Sequence, residues 1–267
     1  MVKGLYTAHT GMITEMKRLD ILANNLANAN TTGYKKEGTT SRTFADVMAV
    51  KLKDTSDYGI ARNIGEISYS VHLGQVYTDY TPGSFRVTDN PTDLAIDGNG
   101  FFAISFTDKQ GNTTAKYTRD GSFTVNTEGF LVTKDGDYVL NATGAANGDP
   151  SEANFIRVDP NQKILVNKLG YVIQNDEVVG TIGLTDFDNY DYIEKYGENL
   201  YNLLDGGNRI PTDARIEQGV LETSNVNVIN EMVNMITIQR AYEAGQRVIN
   251  SIDSTLEKAA NSVGRVS

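Results

Sequence analysis

Stepping alternately by three and four residues from Val228 lands on Glu231, Met235, Ile238, Tyr242, Gly245, Ile249, Ile252, Leu256, Ala259 and Val263. Of these positions only Glu231 and Gly245 are not apolar. The same stepping from Leu5 gives Ala8, Met12, Glu15, Leu19, Leu22 and Leu26, interrupted only by Glu15. An apolar repeat of about 3.5 residues is the seam of a coiled coil. It predicts one helix from about Lys3 to Asn28 and another from about Asn227 nearly to the end. The first should stop in the run Asn24, Asn25, Asn28, Asn30, Thr31, Thr32, Gly33, because Asn competes for backbone hydrogen bonds and tolerates left-handed geometry. The last should span roughly 36 residues, or about 54 Å. It carries a second apolar set: Ile229, Met232, Val233, Ile236, Ala241, Ala244 and Val248. One partner helix cannot cover both stripes, so the second predicts contact with neighbouring copies of the chain.

Between about Val71 and Glu222 the period changes to two. LAIDGNGFFAISF, AKYTRDGSFTVNTEGFLVTKDGDYVL and FIRVDPNQKILVNKLGYVIQNDEVVGTIGLTDF read as strands broken by turn dipeptides. Asp97-Gly98, Asn99-Gly100, Asp120-Gly121 and Asp135-Gly136 are expected to supply the positive φ angles of tight turns. Residues 35–70 show little pattern and predict a connector with at most one short helix near Phe44–Leu52. The fold class is therefore mixed α and β: terminal helices pairing as a coiled coil, with an inserted, mostly antiparallel β domain. The expected divisions are 1–34 helical, 35–70 connector, 71–222 β domain and 223–267 helical, the last pairing with the first.

Composition narrows the function. The chain has 267 residues and a net charge of −10, which argues against nucleic acid or an anionic membrane as partner, since both need a basic face. It has no cysteine, so neither a disulfide framework nor a thiolate metal site is possible. No apolar run of about 18 residues is present to span a bilayer. The first twenty residues lack the apolar stretch of a secretory signal. Those two observations leave a cytoplasmic chain, or one exported by a route that reads no cleavable signal.

Candidate chemistry is sparse. Gly98–Ala103 fits a dinucleotide-binding glycine pattern, but the pattern needs a helix N-terminus next to meet the pyrophosphate. Phe101–Phe106 is instead an apolar, strand-like run. Asp186–Asp191 is similar to a calcium loop, except that Tyr190 replaces a ligand and Asp191 the turn glycine. His9 and His72 have no paired ligand spacing. Gln239–Glu243 reads as a polar patch fixing helix register. The Asn24–Asn30 run reads as a cap with hydrogen bonds between subunits. No catalytic, cofactor or metal site is expected.

Four segments carry a resemblance. LDILANNLANANTTGYK (19–35) and ETSNVNVINEMVNMITIQRAYEAGQRVINSIDSTL (222–256) resemble the two terminal signatures of the bacterial flagellar rod and hook family. DLAIDGNGFFAI (93–104) and YTRDGSFTVNTEGFLV (117–132) resemble its central β segments. Tyr34 stands where Phe is more usual, and Gly245 where Asn is common. Length and the pairing of VLETSNVNV with EMVNMI are more similar to distal rod members than to proximal ones. A proximal rod or hook-like subunit is the alternative.

The resemblance implies a structural, non-enzymatic subunit that polymerises into a helical tube carrying torque from motor to hook. The terminal helices would lie inside and the β domain outside. It implies export through the flagellar type III apparatus, and location in the basal body outside the cytoplasmic membrane, in the periplasm or cell wall. The implied partners are further copies, other rod and hook subunits and surrounding ring proteins, with no nucleic acid and no small-molecule substrate. Its subunit interface would include Leu19, Leu22, Leu26, Met235, Ile238, Tyr242, Ile249, Ile252 and Leu256. Because rods cross peptidoglycan, a wall hydrolase is the competing class. That chemistry needs two carboxylates facing across a cleft, and no such pair stands out.

Overall fold

The computed structural model describes residues 2–43, 47–51, 62–68, 70–197 and 199–263. Its helices are α1 (Val2–Ala27), the short α2 (Ala142–Asn147) and α3 (Val228–Val263). The chain forms two compact units. One comprises residues 1–27, 37–79 and 227–267; the other comprises residues 28–36 and 80–226.

In the first unit α1 packs antiparallel to α3. Gly4 lies against Ile252, and Gly245 lies against Met12 and the Ala8 carbonyl. A Cβ on Gly245 would come within 2.7 Å of Met12 Cγ, so the missing side chain sets how closely the helices approach. Asn227 begins α3, its Oδ1 accepting the Asn230 amide at 3.1 Å. Near the end of α1, buried Asn25 pairs with the Glu37 backbone as a strand residue would. Its Nδ2 donates to the Glu37 carbonyl (2.8 Å) and its Oδ1 accepts the Glu37 amide (2.9 Å). This bond lies within one chain.

The stretch read as a connector is β-structure. Strands β1 (Glu37–Thr43), β2 (Val47–Lys51), β3 (Arg62–Ile67) and β4 (Val71–Thr78) pair antiparallel, β1 with β4 and β2 with β3. The short helix expected near Phe44–Leu52 is thus corrected to a strand over 47–51; Phe44 and Leu52 themselves lie outside the described residues. Each pairing joins segments well apart in sequence, so no local window shows it. β1 is Thr-rich and half-exposed, with no apolar alternation to mark it. Gly38 leaves room for the ring of Tyr77, its register partner across the ladder. β4, whose period suggested the β domain, belongs to the helical unit. Buried Thr14 of α1 ties to it by donating to the Val71 carbonyl at 3.1 Å.

The second unit is built around the hairpin Phe101–Thr107/Thr113–Thr118. Phe101 through Ser105 are all buried, which is why the sequence there is a continuous apolar run and not an alternation. Phe102 enters one core with Leu94, Ile96, Phe123 and Val139. Phe101 and Ala103 enter another with Tyr117, Leu140, Phe187 and Tyr201. Around this hairpin runs a largely antiparallel sheet from Ile193–Tyr196 to Thr124–Val125. A separate three-stranded sheet covers Leu165–Val166, Tyr171–Gln174 and Glu177–Thr181. Gly98, Gly100 and Gly136 take positive φ as expected. Gly121 is needed for a different reason: a Cβ there would overlap the Leu94 carbonyl oxygen.

Candidate assembly interface

α3 has two apolar faces, and α1 covers one of them. Ile238 is 4% exposed. Leu19, Leu22, Leu26, Met235, Ile249 and Ile252 are partly buried, while Tyr242 and Leu256 are exposed. Leu19, Ile238 and Tyr242 come together around one cleft, and Ile252 meets Gly4. Several residues expected between subunits therefore already line the contact between α1 and α3 of a single chain.

The other face has no cover among the described residues. Ile229 is 74% exposed and Val233 56%, with Met232, Ile236 and Val248 exposed beside them. Apolar side chains at this exposure on one face of a 36-residue helix form a patch that water does not favour. The cleft is a second open feature. It holds about 390 Å³ between α1 and α3, with Met16, Leu19, Ile238 and Tyr242 as apolar wall and Glu15 and Glu243 at the rim. Each rim carboxylate has an ion pair on its own helix, Glu15 with Arg18 at 3.0 Å and Glu243 with Arg247 at 3.6 Å.

The terminal signatures also contain residues whose role the periodicity did not reveal. In the β unit Glu222 is 1% exposed and accepts from Lys35 Nζ (2.6 Å), the Gly83 amide (2.8 Å) and Arg119 Nη1 (3.3 Å). Lys35 also donates to the Thr81 carbonyl at 2.8 Å, and Arg119 Nη2 to the Gly98 carbonyl at 3.0 Å. The Arg119 guanidinium lies over the Phe101 ring. Asn225 Oδ1 accepts the Lys36 amide at 2.8 Å, and its Nδ2 donates to the Thr81 carbonyl at 3.2 Å. The segment 33–36, which follows α1 in sequence, is thus locked to 222–225, which precedes α3. The sequence signal was two charged residues inside otherwise apolar or Asn-rich motifs, 187 positions apart. Tyr34, buried beside them, carries Lys195 Nζ 3.9 Å over its ring. Burial pushes the nearby Tyr201 and Tyr190 phenols up, so both stay neutral at physiological pH.

The glycine pattern at 98–103 runs directly into the strand Phe101–Thr107, so it offers no helix N-terminus to a pyrophosphate. Among the described residues no group of three or more His, Asp or Glu is placed to hold a metal. No described helix is long and apolar enough to cross a membrane.

This arrangement, two terminal helices with an inserted antiparallel β unit, accompanies matches along the chain. Residues 5–35 match the family of flagella basal body rod proteins. Residues 95–174 match the flagellar hook protein FlgE/F/G D1 domain, and residues 217–262 the C-terminal region of flagellar basal body rod FlgEFG proteins. The whole chain is 38% identical to the flagellar basal-body rod protein FlgF of Caulobacter vibrioides, over 98% of that protein. It is 32% identical to the flagellar basal-body rod protein FlgG of Bacillus subtilis, over 98% of this chain and 99% of that one. With the flagellar hook-basal body complex protein FlhO of Bacillus subtilis it shares 31% over the full length of both. The chain belongs to the flagellar basal-body rod family and is a structural subunit of that assembly.

Proposed function

We propose that this subunit polymerises with further copies of itself and with other rod and hook subunits into a helical tube that carries torque. The observation behind this reading is the uncovered apolar face of α3, led by Ile229, Met232, Val233 and Ile236. Burying such a face contributes roughly 25 cal/mol per Å² of apolar surface removed from water. A repeated lattice of such contacts accumulates stiffness that one contact lacks. The terminal helices then line the inside, the β unit lies outside, and Leu19, Leu22, Leu26, Met235, Ile238, Tyr242, Ile249, Ile252 and Leu256 form or border the helix-to-helix contacts. Export through the flagellar type III apparatus, placement in the periplasm or cell wall, and contact with surrounding rings follow from the same reading.

Within the rod, VLETSNVNV followed by EMVNMI favours the distal part. A place like that of FlgF is the second reading, favoured by the 38% identity to the Caulobacter protein. Electron microscopy of basal bodies from a strain lacking the gene separates them. A rod stub without its outer part supports the distal reading. Loss of the rod altogether supports the second. Complete rods would overturn both.

A further inference from the structure

Two strands of the β unit each have one edge with no partner strand among the described residues. Phe85–Val87 pairs with Val220–Glu222, and Glu177–Thr181 pairs with Tyr171–Gln174. All three residues of the first strand are exposed, as are Glu177, Val178 and Val179 of the second. Residue pairs in an antiparallel ladder alternate between hydrogen-bonded and non-bonded. The Thr223 amide donates to the Ser84 carbonyl (2.8 Å) and the Thr88 amide to the Gly219 carbonyl (2.9 Å). Arg86, midway between these bonds, therefore pairs with Leu221, and the N–H and C=O groups of Phe85 and Val87 face the open edge. On the second strand Asn175 and Asp176 take positive φ, 52° and 66°, in the two-residue turn that closes on a bonded Gln174–Glu177 pair. The next residue, Val178, directs its backbone groups outward.

Such an edge accepts a further strand, and side chains select which one. If two copies of 85–87 paired about a two-fold axis so that Phe85 and Val87 both bonded, Arg86 would stand directly opposite Arg86, which is destabilising. Glu177 supplies the complement. With Glu177 opposite Arg86, Phe85 and Val178 become a bonded pair, through backbone groups that both strands leave free. Phe85 then extends the row Leu165, Ile173, Val178, which is already in register across the three-stranded sheet. Val178 is 60% exposed, so that row has apolar surface left to cover. Neither Arg86 nor Glu177 has an ion pair among the described residues.

We propose that Phe85–Val87 of one copy adds antiparallel to Glu177–Thr181 of the next, with Arg86 opposite Glu177. The proposal rests on the rod-subunit reading and gives the β unit its own strand-to-strand contact. Because the two edges differ, the contact joins copies head to tail and leaves a free edge at each end. Arg86 and Glu177 would form a non-bonded pair with Cα atoms about 4.5 Å apart, within the reach of a disulfide. The chain has no cysteine, so introduced thiols report without background. Full-length protein carrying Arg86→Cys and Glu177→Cys, assembled into basal bodies and oxidised, should give a ladder of disulfide-linked multimers on a non-reducing gel. Arg86→Cys alone should give no multimer. Dimers from that single variant would show two-fold pairing and overturn the contact, as would the lack of a ladder from the double variant. Either result leaves the rod reading intact, whereas absence of the wild-type protein from purified basal bodies would overturn that reading itself. Charge exchange is the second arm, at two exposed positions. Arg86→Glu should lower the amount of subunit in basal bodies several-fold, and adding Glu177→Arg should restore it. Equal amounts from the single and the double variant would count against the contact.

Discussion

Single residues set the stability of the β unit and the spacing of the helices. Glu222 bonds to two buried cations, Lys35 and Arg119. Removing one partner of a buried ion cluster leaves charge uncompensated in a low dielectric, at a cost of about 3–5 kcal/mol. Glu222→Gln should therefore lower the melting temperature of the β unit sharply. Replacing all three charged residues with apolar ones of similar size should recover much of the loss, because no unpaired charge then remains. If Glu222→Gln melted like the wild type, the cluster would not be holding segments 33–36 and 222–225 together. Two helix glycines make a contrasting pair. Gly11 has nothing within 4 Å of where a Cβ would stand, so Gly11→Ala should raise α1 helicity by about 1 kcal/mol of propensity. Gly245→Ile should lower helicity in far-ultraviolet circular dichroism, because its side chain would meet Met12 and separate α1 from α3.

At the scale of elements the two units differ in how much they bury. In the helical unit the two long helices bury one apolar side chain fully, Ile238, whereas the β unit holds two apolar clusters. Ordering a helix pair of this length costs conformational entropy that so little burial does not offset. Amide exchange on dilute monomer should show weak protection in 1–33 and 224–263 and strong protection inside 93–185. Uniform protection would mean the helix pair is stable alone and needs no neighbour. The terminal helices were legible because their pattern is local and repeats for many turns: α1 begins at Val2 and α3 ends at Val263, close to the expected ends. The turns at Gly98, Gly100 and Gly136 were legible for the same reason. The pairings of β1 with β4 and β2 with β3 were not, since each joins distant segments and β1 has no apolar alternation. Lys35, Arg119 and Glu222 were also missed, because a buried charge carries no periodic signal and only its partner in space explains it. Of the residues expected at the interface, Leu19, Ile238 and Tyr242 do meet, but within one chain, and the face left open is the second apolar set.

For the whole molecule, the β strands in 37–78 lie between α1 and the bulk of the β unit in sequence. Deleting 38–66 removes β1 from Gly38 onward and with it the partner of β4, but none of the core of the β unit. The deleted protein should still be exported and fold its β unit, while yielding short, soft or absent rods in electron micrographs. Normal rods and swimming would show that this region does not set rod stiffness. The central claim is that the outward face of α3 is the surface on which copies assemble. A single Ile229→Cys in the otherwise cysteine-free chain tests it directly, since Ile229 is 74% exposed in the monomer. A thiol-reactive maleimide should label this cysteine rapidly in monomer and leave it protected in intact basal bodies. Equal labelling in both would contradict the account.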